Sequence, residues 1–445
     1  VIIGIPLHRL ASQRNYITPA DFILDRYRSE IFKKAFSLLL VVFTLPYLAL
    51  QGMFAGKILH LFAAIPYELG SLLVLAVVML YVSSGGMHSV AWTDALQGLL
   101  IVFSMLLAFF IIAKAAGGFL TAHKEILEIA REHLERGGAG GAVSFSFHFS
   151  YILLWFFSVP MFPQIFQRFY SARDDEAIKR AMCFYPLATT FLFFLTVAIG
   201  VMALTILPNL ETAKSDEVLI LLMNTLSQPF LIAFVALGAL AALMSTLSSQ
   251  VLSLSSLIVQ DFFPPRSRSL SNNRLVIVVI SLIAYFIALN PPLTILGFLS
   301  KMSFQGFAAC APTVFLGLFW RKTTTLGAAG GLAAGVGATL LGILGLLPSG
   351  VPEIYVILSV GFGVTIMVSL FGGGGSLPQP LVKLGAAISP FWAVVFGALL
   401  LLGCDFWNWG GEVSPLWGLP LFMWHFFALG LALFAGFAIF ARQTR

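Results

Sequence analysis

The sequence predicts an all-α polytopic membrane protein, and three observations carry that prediction. The 445-residue chain is 59% hydrophobic and 10% charged, with a mean hydropathy of +0.97, whereas a soluble domain carries roughly 25% charged residues. Apolar runs of about 20 residues recur along its whole length, each long enough to cross a hydrocarbon core of roughly 30 Å. Forty glycines suit the close approach of helices packed in lipid. The net charge of +6 lies in the connections between runs. It reflects topology and gives no reason to expect a nucleic-acid partner.

Taken in order, the chain opens on Val1-Ile2-Ile3-Gly4-Ile5-Pro6-Leu7 and only then turns basic, the reverse of a signal peptide. This start reads as the last turns of a helix that begins before residue 1, so an N-terminally truncated chain is expected. Twelve full spans follow, at about 36–60, 66–86, 92–115, 146–167, 180–207, 228–260, 273–289, 293–318, 323–346, 353–371, 388–404 and 420–441. Their connections alternate in charge. One set (8–35, 166–180, 259–274, Arg321 with Lys322, Lys383, and the tail with Arg442 and Arg445) holds 18 of the chain's 25 Lys and Arg. That bias places this set in the cytoplasm. An even number of spans returns the C-terminus to the same side as residues 8–35, so the expected location is the inner (plasma) membrane with a cytoplasmic C-terminus.

Residues 121–136 read as an amphipathic helix outside, a solvated cap with i,i+4 pairs Lys124–Glu128, Arg131–Glu135 and Glu132–Arg136. Residues 1–371 form the transmembrane core. The stretch 372–387, opening on Gly372 to Gly375, is a flexible cytoplasmic linker, and 388–445 is a C-terminal helix pair. Cys183, Cys310 and Cys404 fall in or beside apolar runs without metal-like spacing, so no disulfide framework is expected.

The most informative stretch is Ala241-Ala242-Leu243-Met244-Ser245-Thr246-Leu247-Ser248-Ser249-Gln250. Four hydroxyls stand where lipid would prefer none. A lone Ser or Thr in hydrocarbon back-bonds to a carbonyl one turn earlier. A dense group beside small residues instead points to a buried polar site, and hard oxygens suit a hard cation such as Na+.

Several segments together resemble the sodium:solute symporter family. They are Gly85-Gly86-Met87-His88-Ser89-Val90-Ala91-Trp92-Thr93-Asp94-Ala95-Leu96-Gln97-Gly98, then Ala241 to Gln250 continuing to Asp261-Phe262-Phe263, then Trp320-Arg321-Lys322 with Gly327-Ala328 and Gly331. Pro163 to Phe169 is a weaker fourth. Their order and spacing match over about residues 1–370. The resemblance implies a leucine-transporter-like five-plus-five inverted-repeat core lacking its first core helix, with additional C-terminal helices. The span at 36–60 then becomes the third core helix and 293–318 the tenth. The first, broken core helix would precede residue 1.

The resemblance also implies residues. The principal sodium site would take the Ala242 carbonyl with the Ser245 and Thr246 hydroxyls, completed by the first core helix. Asp94 would pair with Ser248 and Ser249 as a second cation or release site; otherwise it is a cap or an interfacial charge. Trp155 matches a tryptophan that lines the cavity of proline-transporting relatives. Those relatives have Tyr where this chain has Val159, and another Tyr where it has Leu48, with Tyr47 adjacent and Gln51 nearby. Proline is therefore disfavoured as the substrate.

Lys301 lies roughly 11 Å into its span at 1.5 Å per residue, with no acidic neighbour in that span. A buried ammonium is costly unless it snorkels outward or meets an anion, such as a substrate carboxylate. The expected function is import of a small organic solute, an amino acid, monocarboxylate or similar, with Na+ as the co-transported ion. The chain carries no Gly-x-Ser-x-Gly, His-Glu-x-x-His or phosphate-loop motif, so no enzyme and no resident cofactor is expected. A symporter-like sensor module of a signalling protein, or a proton-coupled carrier using Asp94, are the alternatives.

Overall fold

The computed structural model describes residues 2–138, 143–208, 210–226, 228–290, 300–372, 389–409, 415–416 and 419–443. Among these, the chain forms sixteen α-helices and one two-residue-per-strand hairpin, Pro415–Leu416 against Leu419–Pro420. The helices are α1 (Gly4–Arg14), α2 (Pro19–Tyr27), α3 (Glu30–Ala63), α4 (Tyr67–Ala115), α5 (Phe119–Ile129), α6 (Phe145–Ser158), α7 (Pro163–Ser171) and α8 (Asp175–Ile206). They continue with α9 (Val218–Leu226), α10 (Pro229–Phe262), α11 (Leu270–Ala288), α12 (Gln305–Phe319), α13 (Thr325–Ile343), α14 (Glu353–Phe371), α15 (Pro390–Cys404) and α16 (Leu421–Gln443).

Ten helices are long and apolar enough to cross a membrane, and the bent pair Phe145–Met161 with Pro163–Ser171, turning by 53°, makes an eleventh span. The 49 residues of α4 would reach about 74 Å if straight, more than two hydrocarbon thicknesses. They do not run straight, because Gly86 breaks the helix at φ 57°, ψ −143°, a backbone region open chiefly to glycine. A Cβ at Gly85 would collide with the Ser89 side chain. The Gly85-Gly86 pair is thus a hinge between two spans. Contacts fix their directions. Ser83 meets Arg274 at the start of α11 and Tyr67 meets Ala288 at its end, while Asp94 meets Ser249 and Leu100 approaches Gly238 on α10. α4 thus corresponds to two of the expected spans, 66–86 and 92–115. Residues 291–299, where the span at 293–318 was expected to begin, lie outside the described residues, as do 373–388 of the Gly-rich linker.

α10 is the central rod, packed against α3, α4, α7, α9 and α11. α12 is the most enclosed span. α13 and α14 pack most intimately, because Gly327, Gly331 and Gly335 present almost bare backbone. A Cβ at Gly331 would overlap Thr365 Oγ1 and stand 2.6 Å from the Gly361 carbonyl oxygen. Gly331→Val is expected to destabilise by at least about 1–3 kcal/mol through overpacking. A thermal-unfolding scan in detergent matching the parent would refute that close approach.

The connection 8–35 contains helix α2. Thr18, Pro19 and Asp21 form a capping box that starts α2, and Lys33 bridges Asp21 (2.8 Å) and buried Asp261 (3.2 Å). Thr18 and Ser37 hydroxyls also donate to Asp261. This network ties α2 and α3 to the end of α10. The outer cap is not the one solvated helix expected. α5 ends at Ile129, a 3-10 turn covers Arg131–Leu134, and the tighter turn removes the i,i+4 register of the expected pairs Arg131–Glu135 and Glu132–Arg136. Arg136 instead reaches Asp405 beyond α15. The C-terminal pair is also no remote appendage, since α16 packs along α8.

Candidate functional site

The polar turn of α10 has the local chemistry its composition suggests. Ser245 Oγ donates to the Ala242 carbonyl at 2.9 Å and Thr246 Oγ1 approaches the same oxygen at 3.4 Å. Each hydroxyl spends its proton on the helix and keeps its lone pairs free. All three residues are half-buried, while Ser248, one turn on, is fully buried and donates to the Ser245 carbonyl at 3.1 Å. Three oxygens are about half the shell a hard cation takes. The sequence-predicted residues Ala242, Ser245 and Thr246 are therefore together on one turn of α10.

Asp94, at the start of the second limb of α4, is brought to Ser249, whose Oγ donates to Asp94 Oδ2 at 3.3 Å. Sequence reasoning missed the third member. Arg168, on α7, donates through one guanidinium nitrogen to both Asp94 Oδ2 and Ser249 Oγ, the latter at 2.7 Å. The signal for it was the Pro163-to-Phe169 segment, which resembles the family but shows nothing of its aim.

The residues expected at the substrate site lie around an aromatic side chain that the sequence did not single out, Phe304. It ends a π-helical turn at Ser300–Phe304, a distortion that recurs at functional sites. Its ring centroid lies 5.0 Å from Trp155, 5.5 Å from Tyr47 and 5.1 Å from Phe162. Tyr47 also meets Phe162 edge-on at 5.8 Å. Gln51 sits one turn beyond Tyr47 with its amide 3.4 Å from the Tyr47 carbonyl. Val159 packs on the same core, as do Leu243 and Met244 beside the polar turn. Trp155 is 41% exposed, and its free face opens on a groove of about 560 Å³ lined by Tyr185, Thr190, Phe193, Phe426 and Phe427.

Lys301 stands apart from this cluster. It is 58% exposed and pairs with Glu353, at the start of α14, at 3.7 Å, and Gln305 donates to the same carboxylate. Its counter-charge comes from another helix of the protein. This corrects the expectation that a substrate carboxylate is needed to offset it; the pairing was invisible because Glu353 lies two spans away in sequence.

Cys183, Cys310 and Cys404 are free thiols, and no group of three or more His, Cys, Asp or Glu side chains could hold a metal among the described residues.

A bundle of membrane-length helices with a broken span, a hydroxyl-lined turn on its central rod and an aromatic cluster beside it is the architecture of a secondary transporter. The model of the sodium:solute symporter family matches residues 1–335, three quarters of the chain. The chain belongs to that family and is a sodium-coupled symporter of a small organic solute. It is 25% identical over 341 residues to the sodium/pantothenate symporter of Haemophilus influenzae, covering 75% of this chain and 70% of that one. It is 28% identical over 356 residues to the Escherichia coli sodium/pantothenate symporter, covering 78% and 72%. With the sodium/proline symporter of Staphylococcus aureus it shares 25% identity over 371 residues, covering 79% and 71%. In structure it is similar to a Na+-coupled sialic acid symporter in a substrate-bound outward-open state, with a TM-score of 0.66, 18% identity and coverage of 85% and 84%. That likeness supports the fold.

Proposed function

We propose that this symporter binds its driving Na+ at Ala242, Ser245 and Thr246, and its solute against Tyr47, Trp155 and Phe304, with Gln51 as the polar contact. The observation that carries the solute site is the meeting of three distant segments, α3, α6 and the π-turn before α12, on the single ring of Phe304. Aromatic faces with one amide suit a small solute with an apolar body and a polar end. Pantothenate and proline, the substrates named for the relatives, both have that character. The lack of a tyrosine at Val159 and Leu48 favours a pantothenate-like monocarboxylate. Asp94, Ser248 and Ser249 form the second cation site, which makes the stoichiometry two Na+ per solute. Neutral ligands at the first site let the ion leave each cycle, and one carboxylate at the second draws it inward. The charge bias of the connections supports an inner-membrane location with the α16 end in the cytoplasm.

The test is uptake of labelled pantothenate, proline, sialic acid and simple monocarboxylates by cells producing the intact protein, with and without sodium. Phe304→Ala removes the ring that the other two contact and is expected to raise the solute KM by about tenfold or more, equivalent to roughly 1.4 kcal/mol of lost contact. Its sodium dependence should stay near the parent's. An unchanged KM for the best substrate would remove the aromatic cluster from the solute site.

A further inference from the structure

We infer that Arg168 is a built-in cation that competes with Na+ for Asp94 and Ser249 and is withdrawn by movement of α7. The inference rests on reading Asp94 and Ser249 as a cation site. The guanidinium holds both polar groups that such an ion would use, Asp94 Oδ2 and Ser249 Oγ. One carboxylate balances one cation, and a second cation beside it would meet unscreened repulsion in a poorly solvated site. Guanidinium and Na+ therefore exclude each other. The site also retains unused capacity, since Asp94 Oδ1 is buried with no hydrogen-bond partner among the described residues.

The arginine is placed to move. Its side chain is 48% exposed while that of Asp94 is 18% exposed, so it reaches the carboxylate from the open side. It rides on the second limb of the broken span, after the 53° bend. The residue at the bend, Phe162 (φ −59°, ψ 125°), packs against Phe304 and Tyr47 of the aromatic cluster. Beside the Arg168–Ser249 bond itself, the seam between this limb and α10 holds several polar groups left unpaired among the described residues. Gln164 Oε1 and Gln167 Nε2 on α7, and both amide atoms of Gln250 with Ser253 Oγ on α10, are buried without partners among the described residues. Buried polar groups of this kind require water or an ion. A shift at Phe162 on solute arrival would thus carry Arg168 off Asp94 and free the site for Na+. One short helix couples the two ligands, and thermodynamic coupling of this kind is reciprocal.

Equilibrium binding of 22Na+ to the purified protein tests this without knowing the solute. Ser245→Ala with Thr246→Ala silences the first site, and the remaining binding reports the Asp94 site. In that background Arg168→Gln is expected to tighten 22Na+ binding by about tenfold or more. Arg168→Lys, which retains the charge, should leave it within a few-fold of the parent. Guanidinium chloride at low concentration, added to Arg168→Gln, should displace 22Na+ competitively, an effect that a merely structural arginine would not show. Asp94→Asn should abolish the remaining binding. If Asp94→Asn leaves 22Na+ binding unchanged, the second cation site itself is wrong. If Asp94→Asn abolishes binding while Arg168→Gln fails to tighten it and guanidinium does not compete, the site stands and the competitor is overturned.

Discussion

Sodium-dependent uptake by Ser245→Ala/Thr246→Ala is expected to need at least about tenfold more sodium for half-maximal rate, a loss of roughly 1.4 kcal/mol or more of ion binding. Both substitutions delete an oxygen from the proposed Na+ site on one turn of α10. The helix itself should tolerate the change. Each hydroxyl only back-bonds to the Ala242 carbonyl, and back-bonds of this kind contribute little to helix stability. Protein level in the membrane should therefore match the parent, which separates a binding defect from a folding defect. Maximal rate at saturating sodium should recover most of the way. Parental sodium dependence in the double variant would refute the assignment of this turn to the ion.

The fold was legible because its signals are local. Apolar runs of spanning length, basic residues at alternate connections and hydroxyls crowded at 245–249 each fall within one segment. Gly86 was visible as part of a motif, yet its role as a hinge depends on a backbone angle that no composition reveals. What escaped the sequence is pairing between distant segments. Arg168 finds Asp94 across 74 positions, Lys301 finds Glu353, and Phe304 gathers Tyr47 and Trp155 from two other spans. Each of these residues reads in isolation as interfacial charge or ordinary packing. Expected i,i+4 pairs at 131–136 failed for the opposite reason: a strong local pattern was overridden by a 3-10 turn and a distant carboxylate.

That carboxylate gives the largest expected effect on stability. Asp405 follows α15 in a left-handed conformation (φ 49°, ψ 33°) and its side chain is fully buried. It accepts from Arg136 and, at 2.6 Å, from Asn408. The Arg136 guanidinium lies over Trp409 at 5.3 Å, Phe422 at 4.8 Å and Phe426 at 4.8 Å. Burial lowers the pKa of this guanidinium and Asp405 opposes the shift, but arginine titrates so high that it keeps its charge. The pair fastens the outer cap to the α15–α16 hairpin, and Phe145 at the start of the broken span packs on Trp409 of the same assembly. Arg136→Ala would strip the guanidinium from a buried carboxylate that keeps only Asn408 and, at 3.9 Å, His425, a change worth up to about 3–5 kcal/mol. A fall of several degrees in the detergent melting temperature is the expected reading. Arg136→Met combined with Asp405→Leu should recover most of that loss, because replacing both members of a buried ion pair by apolar side chains removes the desolvation cost along with the attraction. If the single variant melts with the parent, the cage is not closed to water. If the double variant is no better than the single, the rings and not the charge pair hold the cap in place.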